Sequence, residues 1–79
     1  MSTVTGQAVT PHAAKYIVQL CKHWSHKFQV ETTETQGVVH FPTALVTMDA
    51  LPDALQVRIE AKDADTAEQL KAVVAKHLD

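Results

Sequence analysis

The sequence predicts an α+β fold, a two-layer sandwich in which an antiparallel sheet of three to five strands carries two helices on one face. Apolar residues recur at helical spacing in two stretches, residues 10–28 and the stretch after Asp63, and they alternate with polar residues between them. Each predicted element then has one apolar side, which favours packing both helices on the same face of an antiparallel sheet. We expect a single domain spanning residues 1–79, in the order β-α-β-β-β-β-α.

The N-terminal half begins with a loose alternation over residues 2–9, which predicts a short edge strand. The first helix is expected to follow, with Thr10 as its N-cap and Pro11 at its first position, where the missing N–H costs nothing. A helical wheel places the apolar residues in one arc, which predicts the buried side of this helix. The arc contains Ala13, Ile17, Leu20, Cys21 and Trp24.

The middle of the chain predicts an antiparallel meander. Its strands are expected at residues 28–31, 38–41, 44–49 and 55–61. Residues 33–37 form a polar stretch between the first two strands, where Gly37 can take a positive φ in a turn. Pro42 ends the next strand because proline donates no ladder hydrogen bond.

The C-terminal stretch predicts a second amphipathic helix with Asp63 as its N-cap. Asp65 and Glu68 in its first turns complement the positive end of the helix dipole. Its apolar arc contains Ala67, Leu70, Val73, Val74 and Leu78, and His77 falls inside the same arc.

The sheet face away from the helices is predicted to remain uncovered. Its exposed side chains would be Gln29, Glu31, His40, Thr47, Arg58 and Glu60. Such a face is either a solvated surface or a surface for a partner protein.

Composition excludes several classes of protein. Seven basic against nine acidic residues give a net charge of −2, and the basic residues are dispersed, so nucleic acid is not an expected partner. No apolar run is long enough for a membrane span, and no signal segment is recognisable. The single cysteine cannot form an internal disulfide, which favours a cytoplasmic location. A chain this short buries only about 60% of its unfolded surface, so a homodimer would be a natural way to gain stability.

Polar and aromatic residues follow the apolar arc of the first helix along one border, which we call the histidine flank: His12, Tyr16, Gln19, His23 and His26. His12 and His26 would be about 21 Å apart along a helix, so the flank is not one chelating cluster. His23 and His26, three residues apart, can converge. If the second helix brings His77 to them, three imidazoles could hold zinc or iron with one open position, or contact haem. Tyr16, Gln19 and Trp24 would then border the ligand.

The segment L-C-K-H-W-S-H-K-F-Q-V at residues 20–30, together with V-V-A-K-H-L at residues 73–78, resembles a family of small bacterial proteins catalogued as domain of unknown function 2218. The resemblance covers nearly the whole chain. It implies a link to iron uptake, because such domains occur beside or fused to flavin-dependent siderophore-interacting proteins. It implies no catalytic residues. The chain departs from the family pattern at Asp79, where similar proteins continue with an aromatic and charged tail.

Two functions from different classes follow from these observations. The first is a non-catalytic binding module that recognises a small ligand, a metal, haem or a redox partner of iron metabolism through the histidine flank. The alternative is a structural or protein-interaction domain that uses the open sheet face and has no ligand of its own. A catalytic role has little support. Neither His23 nor His26 lies on the same face of the first helix as Cys21, so the thiol has no general base within the helix. The sequence also contains no paired-carboxylate, glycine-loop or triad pattern.

Overall fold

A computed structural model of the chain describes the backbone of residues 2–78 and the side chains of residues 2–76. The elements are β1 (Ser2–Val9), α1 (Ala13–Trp24), β2 (Gln29–Thr32), β3 (Gln36–Phe41), β4 (Ala44–Ala50), β5 (Ala54–Ala61) and α2 (Ala64–Leu78). The predicted α+β class and the order β-α-β-β-β-β-α are confirmed.

The sheet has five strands in the order β1-β5-β4-β3-β2, and all neighbours are antiparallel. β1 and β2 are therefore the two edges, and α1 connects one edge to the other. α1 packs on β2, β3 and β4, whereas α2 packs on β1 and β5. Both helices cover the same face, which leaves the other face open.

The core lies between this sheet face and the two helices. One row of the register crosses all five strands and supplies the floor of the core: Val30, Val39, Val46, Ile59 and Val4. Three of these residues, on β3, β4 and β5, are at most 1% exposed. Such a row holds the strands in register, because a slip by one residue would turn every apolar side chain to the wrong face.

The buried side of α1 is the one predicted, with Ala13, Ile17, Leu20, Cys21 and Trp24 all buried. The Trp24 ring packs edge-on against Phe41 with ring centroids 5.5 Å apart, and Phe41 also contacts Phe28 at 4.6 Å. Three aromatic rings thus fix the C-terminal end of α1 to the end of β3.

The predicted start of α1 was wrong by two residues. Thr10 and Pro11 precede the helix, and Ala13 is its first residue. The Thr10 hydroxyl accepts a hydrogen bond from the N–H of His12 at 3.1 Å, while the N–H of Thr10 donates to the carbonyl of Asp53 at 2.9 Å. Thr10 therefore continues the β1–β5 ladder and forms a local turn, which leaves it outside the helix.

The predicted C-terminal end of the helical stretch was also too far along the chain. α1 ends at Trp24, whose carbonyl accepts hydrogen bonds from the N–H groups of Lys27 and Phe28. The Ser25 hydroxyl donates to the carbonyl of Lys22 at 2.8 Å. Residues 25–27 are consequently a turn that directs the chain into β2.

The prediction that Gly37 takes a positive φ in a turn was wrong. None of the glycines that the structure describes has a positive φ, and Gly37 lies within β3 opposite Met48. A Cβ at this position would be 2.6 Å from Cys21 Sγ and 2.7 Å from Ile17 Cγ2. Gly37 is therefore the place where α1 approaches the sheet too closely for any side chain.

The start of α2 agrees with the prediction that Asp63 is its N-cap. The N–H of Thr66 donates to Asp63 Oδ1 at 2.8 Å, as expected for an N-cap aspartate. Over the residues described, neither helix combines the length and the apolar character that a membrane span requires.

Substituting Gly37 by alanine should destabilise the protein by about 1–3 kcal/mol, because the new methyl group overlaps Cys21 and Ile17. Gly6→Ala is the matched control: a Cβ at Gly6 meets only the flexible end of Lys71, at 3.4 Å. That variant should be neutral or slightly more stable. Urea unfolding followed by circular dichroism measures both. Equal stability of the two variants would contradict the close approach.

The Asp63 cap predicts a pH dependence. Hydrogen bonds from the backbone N–H and then the side chain of Thr66 lower the pKa of Asp63 from its ordinary value of 3.8. A lowered pKa stabilises the fold above pH 3.8, and this contribution is lost as the pH falls through the folded-state pKa. Asp63→Ala should therefore be less stable than the wild type at neutral pH, with a difference that shrinks on acidification.

Asp63→Asn is the control, since asparagine keeps a capping oxygen but does not titrate. Thermal unfolding across the acidic range should show it close to the wild type at neutral pH. An identical acid profile for the wild type and both variants would rule out the cap as a source of the pH dependence.

Candidate functional site

The histidine flank is only partly helical. His12 precedes α1 and His26 follows it, so only Tyr16, Gln19 and His23 remain on the helix. His23 is exposed and its ring lies 6.4 Å from the Trp24 ring, at an interplanar angle of 63°. Tyr16 is half-buried, Gln19 is exposed and Trp24 is buried. The flank is therefore a solvent-facing border of α1, and Trp24 serves the core below it.

The side chain of His77 lies outside the described residues, so its predicted approach to His23 and His26 stays a prediction. The backbone shows the direction of the two helices. α1 ends where Trp24 meets Phe41, and α2 starts at this same end of the sheet, since the N–H of Lys62 donates to the carbonyl of Thr43. Residue 77 is about 20 Å further along α2, at the end from which α1 begins. Among residues 2–76, no three His, Cys, Asp or Glu side chains are grouped for a metal ion.

Cys21 is 3% exposed and lies between α1 and Gly37. This position agrees with its interpretation as a small buried apolar residue.

The open sheet face is the side of the sheet that neither helix covers. The register places the predicted residues together on it, with Gln29 opposite His40, Thr47 opposite Arg58 and Glu60 opposite Leu45. Sequence reasoning missed its centre. Val38 and Leu45 also face this side, and both are half-buried with Thr47, although no helix covers them. The sequence did contain an indication of this centre, because Val38 and Leu45 are apolar residues at outward-facing positions of two adjacent strands.

Polar and charged side chains surround this centre and form three contacts. His40 Nε2 is 2.8 Å from Glu31 Oε2 across the β2–β3 pair. Arg58 Nε is 3.5 Å from Glu60 Oε1 on β5. Gln36 Nε2 donates to Asp49 Oδ1 at 3.0 Å. Three carboxylates against one guanidinium make the surroundings of the centre acidic.

A shallow groove of about 720 Å³ extends the open face around the β3–β4 turn. Its floor is apolar, from Phe41, Pro42, Ala44 and Leu45, and its polar groups come from His40, Glu60 and Lys62. His40, Leu45 and Glu60 belong to both surfaces, so the groove and the open face are continuous. The arrangement can bind a protruding side chain of a partner.

Comparison with known proteins found one family model and one solved structure that are similar to this chain. A family model described as "Uncharacterized protein conserved in bacteria (DUF2218)" matches residues 5–79. The NMR structure of PA4090 from Pseudomonas aeruginosa is similar over 99% of this chain and 81% of that chain, with 37% sequence identity and a TM-score of 0.87. No curated protein matches the chain.

Proposed function

Because the chain belongs to DUF2218, a family of uncharacterised proteins conserved in bacteria, we propose a function from its surface chemistry. The protein is a non-catalytic interaction module that docks onto a partner protein through its open sheet face. We also place it in the cytoplasm, since its single cysteine offers no internal disulfide.

The observation that supports this proposal is the composition of the open face. A purely solvated face would carry only polar side chains at its centre, whereas this one carries Val38 and Leu45 beside Thr47. Apolar centres ringed by polar groups are typical of protein interfaces. The side-chain contacts His40–Glu31 and Arg58–Glu60 suit such a role, because they orient these groups before a partner arrives.

The chemistry of the face defines the partner. Its central strands bear medium-sized side chains on an open face, which suits another sheet or a broad helical surface more than a narrow ligand. The carboxylates of Glu31, Asp49 and Glu60 favour a partner with basic residues around an apolar centre. The groove at Pro42 would accept one protruding apolar side chain of that partner.

Photo-crosslinking in the bacterial host tests this proposal. A benzophenone amino acid at Thr47, in the centre of the face, should form an adduct with one discrete protein, and Leu45→Lys should abolish it. The same group at Val18, an exposed apolar position on α1, is the matched control. When the crosslinking is repeated in a cell extract, the adduct should weaken with rising salt, because the surrounding charges are exposed. Equal labelling from Val18, or an adduct that survives Leu45→Lys, would contradict docking at this face.

A second candidate function is ligand binding at the histidine flank, with a link to iron metabolism. Two exposed histidines favour it: His23 lies in the last turn of α1, and His26 follows the end of the helix. Tyr16 and Gln19 lie earlier on the same flank. Two neutral imidazoles can hold part of a coordination sphere of zinc or iron, or contact haem.

A histidine-resolved NMR titration of the full chain with Zn²⁺, Fe²⁺ and haem tests this second candidate. Binding should shift the ring signals of His23 and His26 together and saturate, and His23→Ala should remove the response. His40→Ala, on the opposite face, should leave it unchanged. An absence of shifts below millimolar metal, or shifts that persist in His23→Ala, would eliminate the flank as a site.

A further inference from the structure

We propose that two copies of this chain pair through their β1 edges, forming one continuous ten-stranded sheet with all four helices on one side. The inference rests on the backbone of β1 and on the outer side of α2. It does not depend on the docking proposed for the open face.

The free backbone groups of β1 follow from the ladder to β5. Thr10 continues the register of β1 on β5, and its N–H donates to Asp53. Hydrogen-bonded and non-hydrogen-bonded pairs alternate along an antiparallel ladder. The even-numbered residues of β1 therefore point their N–H and C=O groups at β5. The odd-numbered ones, Thr3, Thr5, Gln7 and Val9, point theirs outward, where no other strand of the described sheet pairs with them.

β1 lacks the features that protect an exposed edge. Its sequence, STVTGQAV, has no charge and no proline over eight residues, and its last residue, Val9, is 90% exposed. Natural edges are usually short, charged or interrupted. The other edge shows such protection: β2 has four residues and carries Glu31. The contrast indicates that β1 is covered by another strand.

A second copy of β1 fits this edge. With Gly6 on a two-fold axis, Thr5 lies opposite Gln7 of the second copy and Thr3 lies opposite Val9. This register pairs all four outward-pointing residues of each copy and keeps core-facing residues on the core side. Val4 then packs beside Ala8 of the second copy, and the exposed Val9 gains a neighbour.

The helix above β1 supports the same arrangement. α2 packs on both β1 and β5. We take its axis to run above the gap between these two strands, about half a strand spacing inside β1. Strands are about 4.8 Å apart, which would place the two α2 axes about 10 Å apart across the two-fold axis. Packed helices are about 8–10 Å apart. The pairing of the strands would therefore bring the two helices to contact distance without adjustment.

The outer flank of α2 suits such a contact. Lys71 and Ala75 overhang β1 and, with Gly6 and Ala8, line a cleft of about 130 Å³ at the edge. Ala64 and Ala72 keep the rest of the flank small. Glu68 lies one turn before Lys71 on the same helix, so each copy carries one acidic and one basic group near the edge. The small side chains permit close approach of the two helices.

The dimer would also extend the open face. Thr3, Thr5, Gln7 and Val9 of both copies would meet at its middle, which joins two separate faces into one surface with two-fold symmetry. A partner protein would then encounter a surface that no single copy provides.

Sedimentation equilibrium of the full chain, from micromolar to millimolar concentration, tests the proposal. The wild type should show a reversible monomer–dimer equilibrium. Thr5→Pro should weaken the dimer by at least about 10-fold, because it removes an outward N–H donor from each copy. It should leave each copy folded, since proline is tolerated where the N–H faces away from the ladder. A monomeric wild type at millimolar concentration would overturn the proposal.

Charge variants test the register without proline. Thr5→Lys with Gln7→Lys places like charges opposite each other twice and should also weaken the dimer by at least about 10-fold. Thr5→Lys with Gln7→Glu places opposite charges there and should dimerise at least as well as the wild type. Both double variants change exposed residues, so circular dichroism should show an unchanged fold. The same dimer strength in both would overturn the proposed pairing.

Discussion

The close approach of α1 to β3 at Gly37 is the constraint on which the rest of the structure depends. With no side chain on Gly37, Ile17 and Cys21 reach the backbone of the strand, and the helix lies directly on the sheet. This brings Trp24 to Phe41 at one end of β3. The crossing from the β1 edge to the β2 edge is thereby fixed, and α1 covers the part of the apolar row that lies on β2, β3 and β4.

Because the two helices cover one face of the sheet, the surfaces that remain for binding are the open face, the sheet edges and the outer sides of the helices. The helical layer uses its large apolar side chains for the core, and Cys21 is buried among them. The open face retains half-buried apolar residues bordered by paired polar side chains, and β1 retains outward-pointing backbone groups. Both features belong to the sheet and are positioned by the same strands. We therefore propose protein contacts on the open face and the β1 edge, with the histidine flank as a separate candidate site.

Periodicity was sufficient to predict the fold class, the element order and the buried side of α1, because these depend on the alternation of apolar residues. It was insufficient where a hydrogen bond or a distant contact decided the outcome. Thr10 belongs to the β1–β5 ladder because of its bond to Asp53, which is far away in sequence. Gly37 looked like a turn residue because sequence alone does not show that α1 passes over it.

The candidate site was predicted less completely for the same reason. The outward residues of the open face followed from strand alternation, and Glu31 and His40 do lie together. The significance of Val38 and Leu45 depends on strands β3 and β4 being adjacent in the sheet, and the groove at Pro42 depends on three strand ends meeting. The predicted approach of His77 to His23 and His26 depends on where the two helices end and on their relative direction. Apolar periodicity gives neither.

Native-state hydrogen exchange by NMR tests the central claim most directly. If the contact at Gly37 holds helix and sheet together, the amides of Ile17, Leu20 and Cys21 should exchange only through global unfolding. Their opening free energies should then equal those of Val39 and Val46 in the sheet. Exchange of the α1 amides through a smaller opening, with the sheet still protected, would show that the sheet does not depend on α1 and would contradict the account.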